Sequence, residues 1–148
     1  MTPLKAIVSQ HKAGAPAGIT SVCSAHPVVL AAALAHGRDA GAPVLVESTC
    51  NQVNHQGGYT GMLPADFAAY VTQLADETCL GRERLILGGD HLGPSPWQAM
   101  PAQQAMAEAR TLVAAYVAAG YSKIHLDASM RLGDDAPGPL PVALVAER

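Results

Sequence analysis

Short apolar runs alternate with longer amphipathic ones four times along this chain, and that rhythm admits few folds besides βα units laid into a parallel sheet. Residues 18–23 (GITSVC) read as the first strand, and the stretch from Pro27 to about His36 as the first helix. Its Pro in the first turn and its Ala and Leu content suit a helix, and Gly37 and Gly41 are placed to end it. Residues 44–47 make the second strand, after which a long polar loop, STCNQVNHQGGYTG, leads to a helix starting near Pro64. That helix carries Phe67, Tyr70, Val71 and Leu74 on one face. The third strand, 85–87, is followed by GGDHLGPSPWQAM and a helix from about Ala102 to Ala119. Met106, Ala109, Leu112, Val113, Tyr116 and Val117 form its apolar stripe. The fourth strand, 123–127 (KIHLD), opens into a Pro- and Gly-rich loop, and the closing VALVAER looks like the start of a helix.

A parallel sheet is stable when both faces are covered, and a closed ring of such strands fills its interior with side chains from opposite strands. Four units supply half of that filling. The expectation is therefore one domain over residues 1–148 that forms the N-terminal half of a barrel: a truncated chain, a fragment, or a half that pairs with another copy. An open, doubly wound sheet is the rival fold and would need helices on both faces.

The chain has 148 residues, the size of a single ordinary domain. Charged residues are 14%, well below the roughly 25% usual for soluble chains, so part of the surface is suited to being covered. A formal net charge of −3 gives neither nucleic acid nor an anionic membrane surface a basic patch to bind, while anionic small substrates stay open. Cys23, Cys50 and Cys79 are odd in number and form no CxxC pair, which points to a reduced, cytoplasmic protein without a disulfide framework. The opening MTPLKAIVSQHK lacks the apolar core of a signal peptide, and the longest apolar run, 28–35, is too short to span a bilayer.

In parallel α/β folds the functional groups sit in the loops after the C-terminal ends of the strands. Here those ends are polar in every unit: Ser24 and His26 after the first; Glu47, Ser48, Thr49, Asn51, Gln52, Asn54 and His55 at the second; Asp90 and His91 after the third; His125, Asp127 and Ser129 at the fourth. The opposite ends carry no such cluster. Asp90-His91 is the sharpest pair, because a strand-end His ligates divalent metals while the adjacent carboxylate serves as base or orients the ligand. On the residues alone, a surface dipeptide flanked by turn-forming Gly88, Gly89 and Gly93 is the favoured reading, since such pairs are common and one His fixes no metal. His125 and Asp127 alternate along the fourth strand and so share a face, either bonded to one another or lining a cavity with Glu47 and Asp90.

Gly57, Gly58 and Gly61 suit simple turns better than a phosphate cradle. Neither GxxxxGK[ST] nor GxGxxG occurs, so no nucleotide cofactor is indicated. Trp97 either lines a sugar pocket or packs beneath its loop. Cys23 and Cys50 have no evident activating base and read as small apolar residues.

Five segments in order, HKAG (11–14), SVCSAHP (21–27), NQVN with GGYTGM (51–62), GGDHLGP (88–94) and KIHLDASM (123–130), resemble one family. It is that of the accessory, non-catalytic subunit of class II D-tagatose-1,6-bisphosphate aldolase, also described as tagatose-6-phosphate kinase. The resemblance runs from about Leu4 to the end. It implies a TIM-like (β/α)8 barrel of which about the first four βα units are present. It also implies an oligomer, with a zinc-dependent catalytic aldolase subunit as partner and a sugar phosphate as ligand, in galactitol or N-acetylgalactosamine breakdown. Some relatives resemble metal-dependent ketose-phosphate 4-epimerases working by retro-aldol chemistry, and a chain inactive by itself is a third expectation. The same resemblance makes Asp90 a candidate acid/base and His91 a candidate ligand for zinc or a similar divalent metal, and the polar strand ends add Glu47 and Asp127 as candidate catalytic groups. Ser24, His26, Asn51, Gln52, His125 and Ser129 become candidate substrate contacts. One departure lies at Leu63, where relatives tend to carry a helix-capping Thr.

Overall fold

A computed structural model describes residues 2–148. Its elements run α1 (Pro3–Lys12), β1 (Ser21–Cys23), α2 (Pro27–Ala40), β2 (Val44–Thr49), α3 (Pro64–Glu77), β3 (Leu85–Leu92), α4 (Ala102–Ala118), β4 (Lys123–Leu126) and α5 (Val142–Glu147), with short 3-10 turns at Arg82–Arg84 and Ser95–Trp97. The strands form one parallel sheet in the order β1-β2-β3-β4. Consecutive parallel neighbours require a crossover each time, and α2, α3 and α4 provide the three.

Strand alternation divides the sheet into two chemically different faces. Val44 and Val46 of β2, Leu85 and Leu87 of β3 and Ile124 of β4 pack with Leu30 and Leu34 of α2, Phe67 and Val71 of α3, and Met106 and Leu112 of α4. The side chains between them, Ser21, Cys23, Leu45, Glu47, Ile86, Asp90, Lys123 and His125, take the other face. Because α2, α3 and α4 all cover the first face, the doubly wound arrangement does not describe this sheet. No helix among the described residues is long and apolar enough to cross a membrane.

Several boundaries differ from the sequence-based expectation, for identifiable reasons. Gly37 lies inside α2 instead of ending it. A Cβ there would come 2.1 Å from Val44 Cγ2, so the missing side chain lets α2 settle onto β2. Gly41, at φ 62°, is the left-handed cap that stops the helix. Strand β1 is only Ser21–Cys23, whereas β3 runs on through Asp90 and His91 to Leu92, so that pair belongs to a strand and not to a loop. Strand β4 ends at Leu126 and leaves Asp127 just beyond it. Helix α1 was not anticipated, and none of its residues is buried. On α4, Met106, Ala109, Leu112 and Tyr116 are buried, but Val117 is 57% exposed. Val117 borders an apolar groove of about 900 Å³ that Leu92, Met106, Val113, Leu126 and Val145 also line.

Candidate functional site

Pairing across the sheet puts Cys23, Glu47, Gly88 and Lys123 in one transverse row, with Thr49 and Asp90 one level higher. Glu47 is only 2% exposed. An ionised carboxylate at such depth needs charged or hydrogen-bonding partners. Ser21 Oγ donates to Oε2, while Oε1, which lacks a regular hydrogen bond, faces the Lys123 ammonium as an ion pair. Lys123 reaches it across Gly88, where a Cβ would come 2.6 Å from Glu47 Oε1. The Lys123 Nζ also lies 4.0 Å from Asp90 Oδ1, so the two acidic groups share one cation.

Asp90 receives two imidazoles on the same oxygen, His125 Nδ1 at 3.0 Å and His91 Nδ1 at 3.1 Å. Burial alone would raise its pKa, but the hydrogen bonds from His125 and His91 hold the carboxyl below the usual carboxylate range. The two rings lie 4.3 Å apart between centroids, tilted by 49°. One ligand atom from each of Asp90, His91 and His125 falls within 4.8 Å of the others. Imidazole and carboxylate donors are of the type that zinc takes, and both imidazoles are open to solvent, so the residues present fit a divalent metal.

Plain alternation would send Asp90 and His91 to opposite faces. A bulge prevents this: the β3–β4 register shifts between Gly89 and Leu92, and His91 takes φ 50°. A left-handed backbone is uncommon for a residue with a Cβ, and here it returns the second side chain to the face of the first.

The remaining sequence candidates take other positions. Asp127 bonds to the backbone N–H and hydroxyl of Ser129 rather than to His125, and those bonds hold its carboxyl below the ordinary range. Ser24 and His26 cap α2: Ser24 Oγ accepts from the His26 N–H, and His26 Nδ1 from the Val28 N–H at 3.3 Å. Gln52 is buried, its Oε1 accepting the Thr49 N–H at 2.8 Å and facing Cys23 Sγ at 3.8 Å. Asn51 stays exposed, 3.4 Å from Ser95 Oγ.

The loop between β2 and α3 is a closed knot. Asn54 Oδ1 takes the N–H groups of Gln56 and Gly58, and the Gly57 N–H goes to the Asn54 carbonyl, so these glycine amides are committed internally and not offered to a phosphate. His55 stacks on Trp97 at 5.1 Å and contacts Glu108 Oε2 at 2.7 Å, while the Trp97 indole N–H bonds to Gln56. Trp97 is thus buried beneath the loop, not set in a pocket. Burial, aided by the nearby Asp90 and Glu47 charges, pushes the Cys23 thiol up to about 11, which keeps it protonated near neutrality.

Comparison with known proteins places this geometry. The model of the D-tagatose-1,6-bisphosphate aldolase subunit GatZ/KbaZ-like family matches residues 4–148. The chain belongs to that family. Proteins named D-tagatose-1,6-bisphosphate aldolase subunit GatZ from Salmonella gallinarum and Salmonella dublin are each 58% identical to it over 145 residues, and one from Salmonella agona is 57% identical. Each match covers 98% of this chain, which spans about a third (34%) of the length of these relatives. A crystal structure described as a probable tagatose 6 phosphate kinase from Sinorhizobium meliloti superposes with a TM-score of 0.83 at 52% identity, over 87% of this chain and 33% of that one. The α/β fold with its parallel sheet is therefore shared with a solved protein of similar sequence.

Within this family member, sequence reasoning missed Lys123 and Ser21, the two partners of Glu47. Lys123 begins the KIHLD run two residues before His125, so the same alternation that puts His125 on one face of the strand could have found it.

Proposed function

We propose that the chain works as part of the accessory subunit of a D-tagatose-1,6-bisphosphate aldolase, sustaining the activity and stability of a catalytic subunit in the cytoplasmic breakdown of galactitol or N-acetylgalactosamine. The observation that carries this reading is the family match across residues 4–148. In it the sheet is the first half of a TIM-like (β/α)8 barrel. Its face with Glu47, Asp90, Lys123 and His125 turns toward the interior, and the apolar groove beside β4 meets the flanking unit. The test is co-expression with a catalytic aldolase subunit. The two are expected to co-purify, with a longer half-life and higher activity for the partner; if neither changes, the reading fails.

A second reading, a metal-dependent ketose-phosphate 4-epimerase, is favoured by the Asp90–His91–His125 cluster. His91 and His125 would hold a divalent cation, with Asp90 orienting both rings through their Nδ1 atoms. When bound, such an ion polarises a carbonyl oxygen. Asp90 is ionised at neutral pH and accepts the proton of a substrate hydroxyl, while Ser129, exposed just past β4, is the candidate contact to the sugar phosphate. Zinc-loaded protein is expected to epimerise a ketose phosphate, and Asp90→Asn and His91→Ala to abolish the activity. Unchanged turnover in both variants would remove these roles.

A further inference from the structure

The left-handed backbone at His91 is what brings the second imidazole to Asp90, and it is held by a contact from outside the strand. Cys50, the residue after β2, is 1% exposed, and its Sγ lies 3.2 Å from the His91 carbonyl oxygen. A thiol is a weak donor, and at this distance its S–H is within reach of the carbonyl oxygen. Two glycines complete the frame. A Cβ on Gly89 would come 2.4 Å from Leu92 Cδ1, and one on Gly93 would come 1.7 Å from the Asp127 carbonyl oxygen. The bulge is thus packed on the β4 side through Gly93 and tied on the β2 side through Cys50.

We infer that Cys50 is a positioning residue for the Asp90–His91–His125 cluster: its thiol donates to the His91 carbonyl, fixes the bulge, and so aims the His91 imidazole at Asp90. The inference rests on the metal-binding reading of that cluster and adds to it a partner that touches neither ligand atom. Outer-shell partners of this kind typically contribute about 10–100-fold to metal affinity. A role in packing alone would make any small side chain equivalent, whereas a donor role separates serine from alanine at nearly equal size.

Cobalt(II) titration of the 148-residue chain, followed by the visible absorption of the bound ion, reads the affinity. Crystal structures of the metal-free wild type and Cys50→Ala read the His91 backbone independently of any metal. Cys50→Ala is expected to weaken cobalt binding about tenfold, with His91 leaving the left-handed region and its ring leaving Asp90. Cys50→Ser, which keeps a donor, is expected to stay within about threefold of wild type. Equal affinity and an unmoved His91 in Cys50→Ala would overturn the inference, as would an alanine variant indistinguishable from serine. A wild-type chain that binds no cobalt would overturn the metal reading, and the two metal-free structures would still decide whether Cys50 sets His91.

Discussion

Glu47 and Lys123 stand on strands that are not adjacent, and they form their ion pair across Gly88, a residue of the intervening strand that has no side chain. Removing one partner of a buried pair leaves an uncompensated charge. Lys123→Met is expected to destabilise the chain by about 3 kcal/mol, the low end of the range because Lys123 is itself partly exposed. Gly88→Ala should also destabilise, since the added methyl meets Glu47 Oε1. Urea denaturation of the single variants and the Lys123→Met/Glu47→Leu pair measures both; a double variant no more stable than Lys123→Met would argue against the ion pair.

The depressed pKa of Asp90 makes a pH prediction with a definite sign. A carboxyl held below its unfolded value stabilises the native state above about pH 4, and the contribution disappears as pH falls through the folded pKa. Wild type is expected to exceed Asp90→Asn in stability at neutral pH, with the two converging below the usual carboxylate range. Denaturation midpoints collected from pH 7 down to the acid limit of folding supply the comparison. A constant gap between them would show that Asp90 gains nothing from its histidines.

Cys23 should be a slow nucleophile despite lying on the polar face. With its thiol near 11, the thiolate fraction at pH 8 is roughly two orders of magnitude below that of a free peptide thiol. Iodoacetamide labelling followed by peptide mass spectrometry is expected to modify Cys23 about 100-fold more slowly than a model thiol.

How much of this site was readable from residues depends on what kind of signal each residue carries. The βα rhythm shows in the apolar runs around Val44–Val46 and Leu85–Leu87 because burial on both faces of a parallel strand leaves a compositional mark. The polar strand ends were visible because they interrupt those apolar runs. The joint placement of Asp90 and His91 was not, because alternation gives the opposite answer and the bulge depends on Leu92, Cys50 and the Asp127 backbone, remote in sequence or in role. Gly37 misled because a stop signal and a close helix–strand approach use the same residue. Ser24 and His26 serve the N-terminus of α2, a role that strand-end position alone does not separate from a binding one.

The His55–Glu108 contact pins the β2–α3 loop to α4, with Gln56 as a second tie to the same carboxylate. Glu108→Ala cuts both and leaves the Trp97 stack without the carboxylate that holds His55. Since the pair is partly exposed, the global cost is expected to be about 1 kcal/mol or less. The local effect should be larger: faster thermolysin cleavage within residues 51–62, and a red shift of emission from the sole tryptophan, measured on the same samples. Unchanged cleavage would place the loop's anchorage elsewhere, in the Asn54 bonds.

Leu63 offers a stabilising change. It occupies the N-cap of α3, where its side chain accepts nothing, although Asp66 three residues on already takes its backbone N–H at 3.0 Å. Half of a capping box is therefore built, and a hydroxyl at Leu63 would add the other half by accepting the Asp66 N–H. Leu63 is 44% exposed, so truncating it forfeits little buried area. Leu63→Thr is expected to raise stability by about 1 kcal/mol, with Leu63→Ala showing no gain. Serine should match threonine if the hydroxyl is the cause. Thermal and urea unfolding of the three variants tests this; an equal rise in the alanine variant would trace the effect to loss of the leucine and not to the cap.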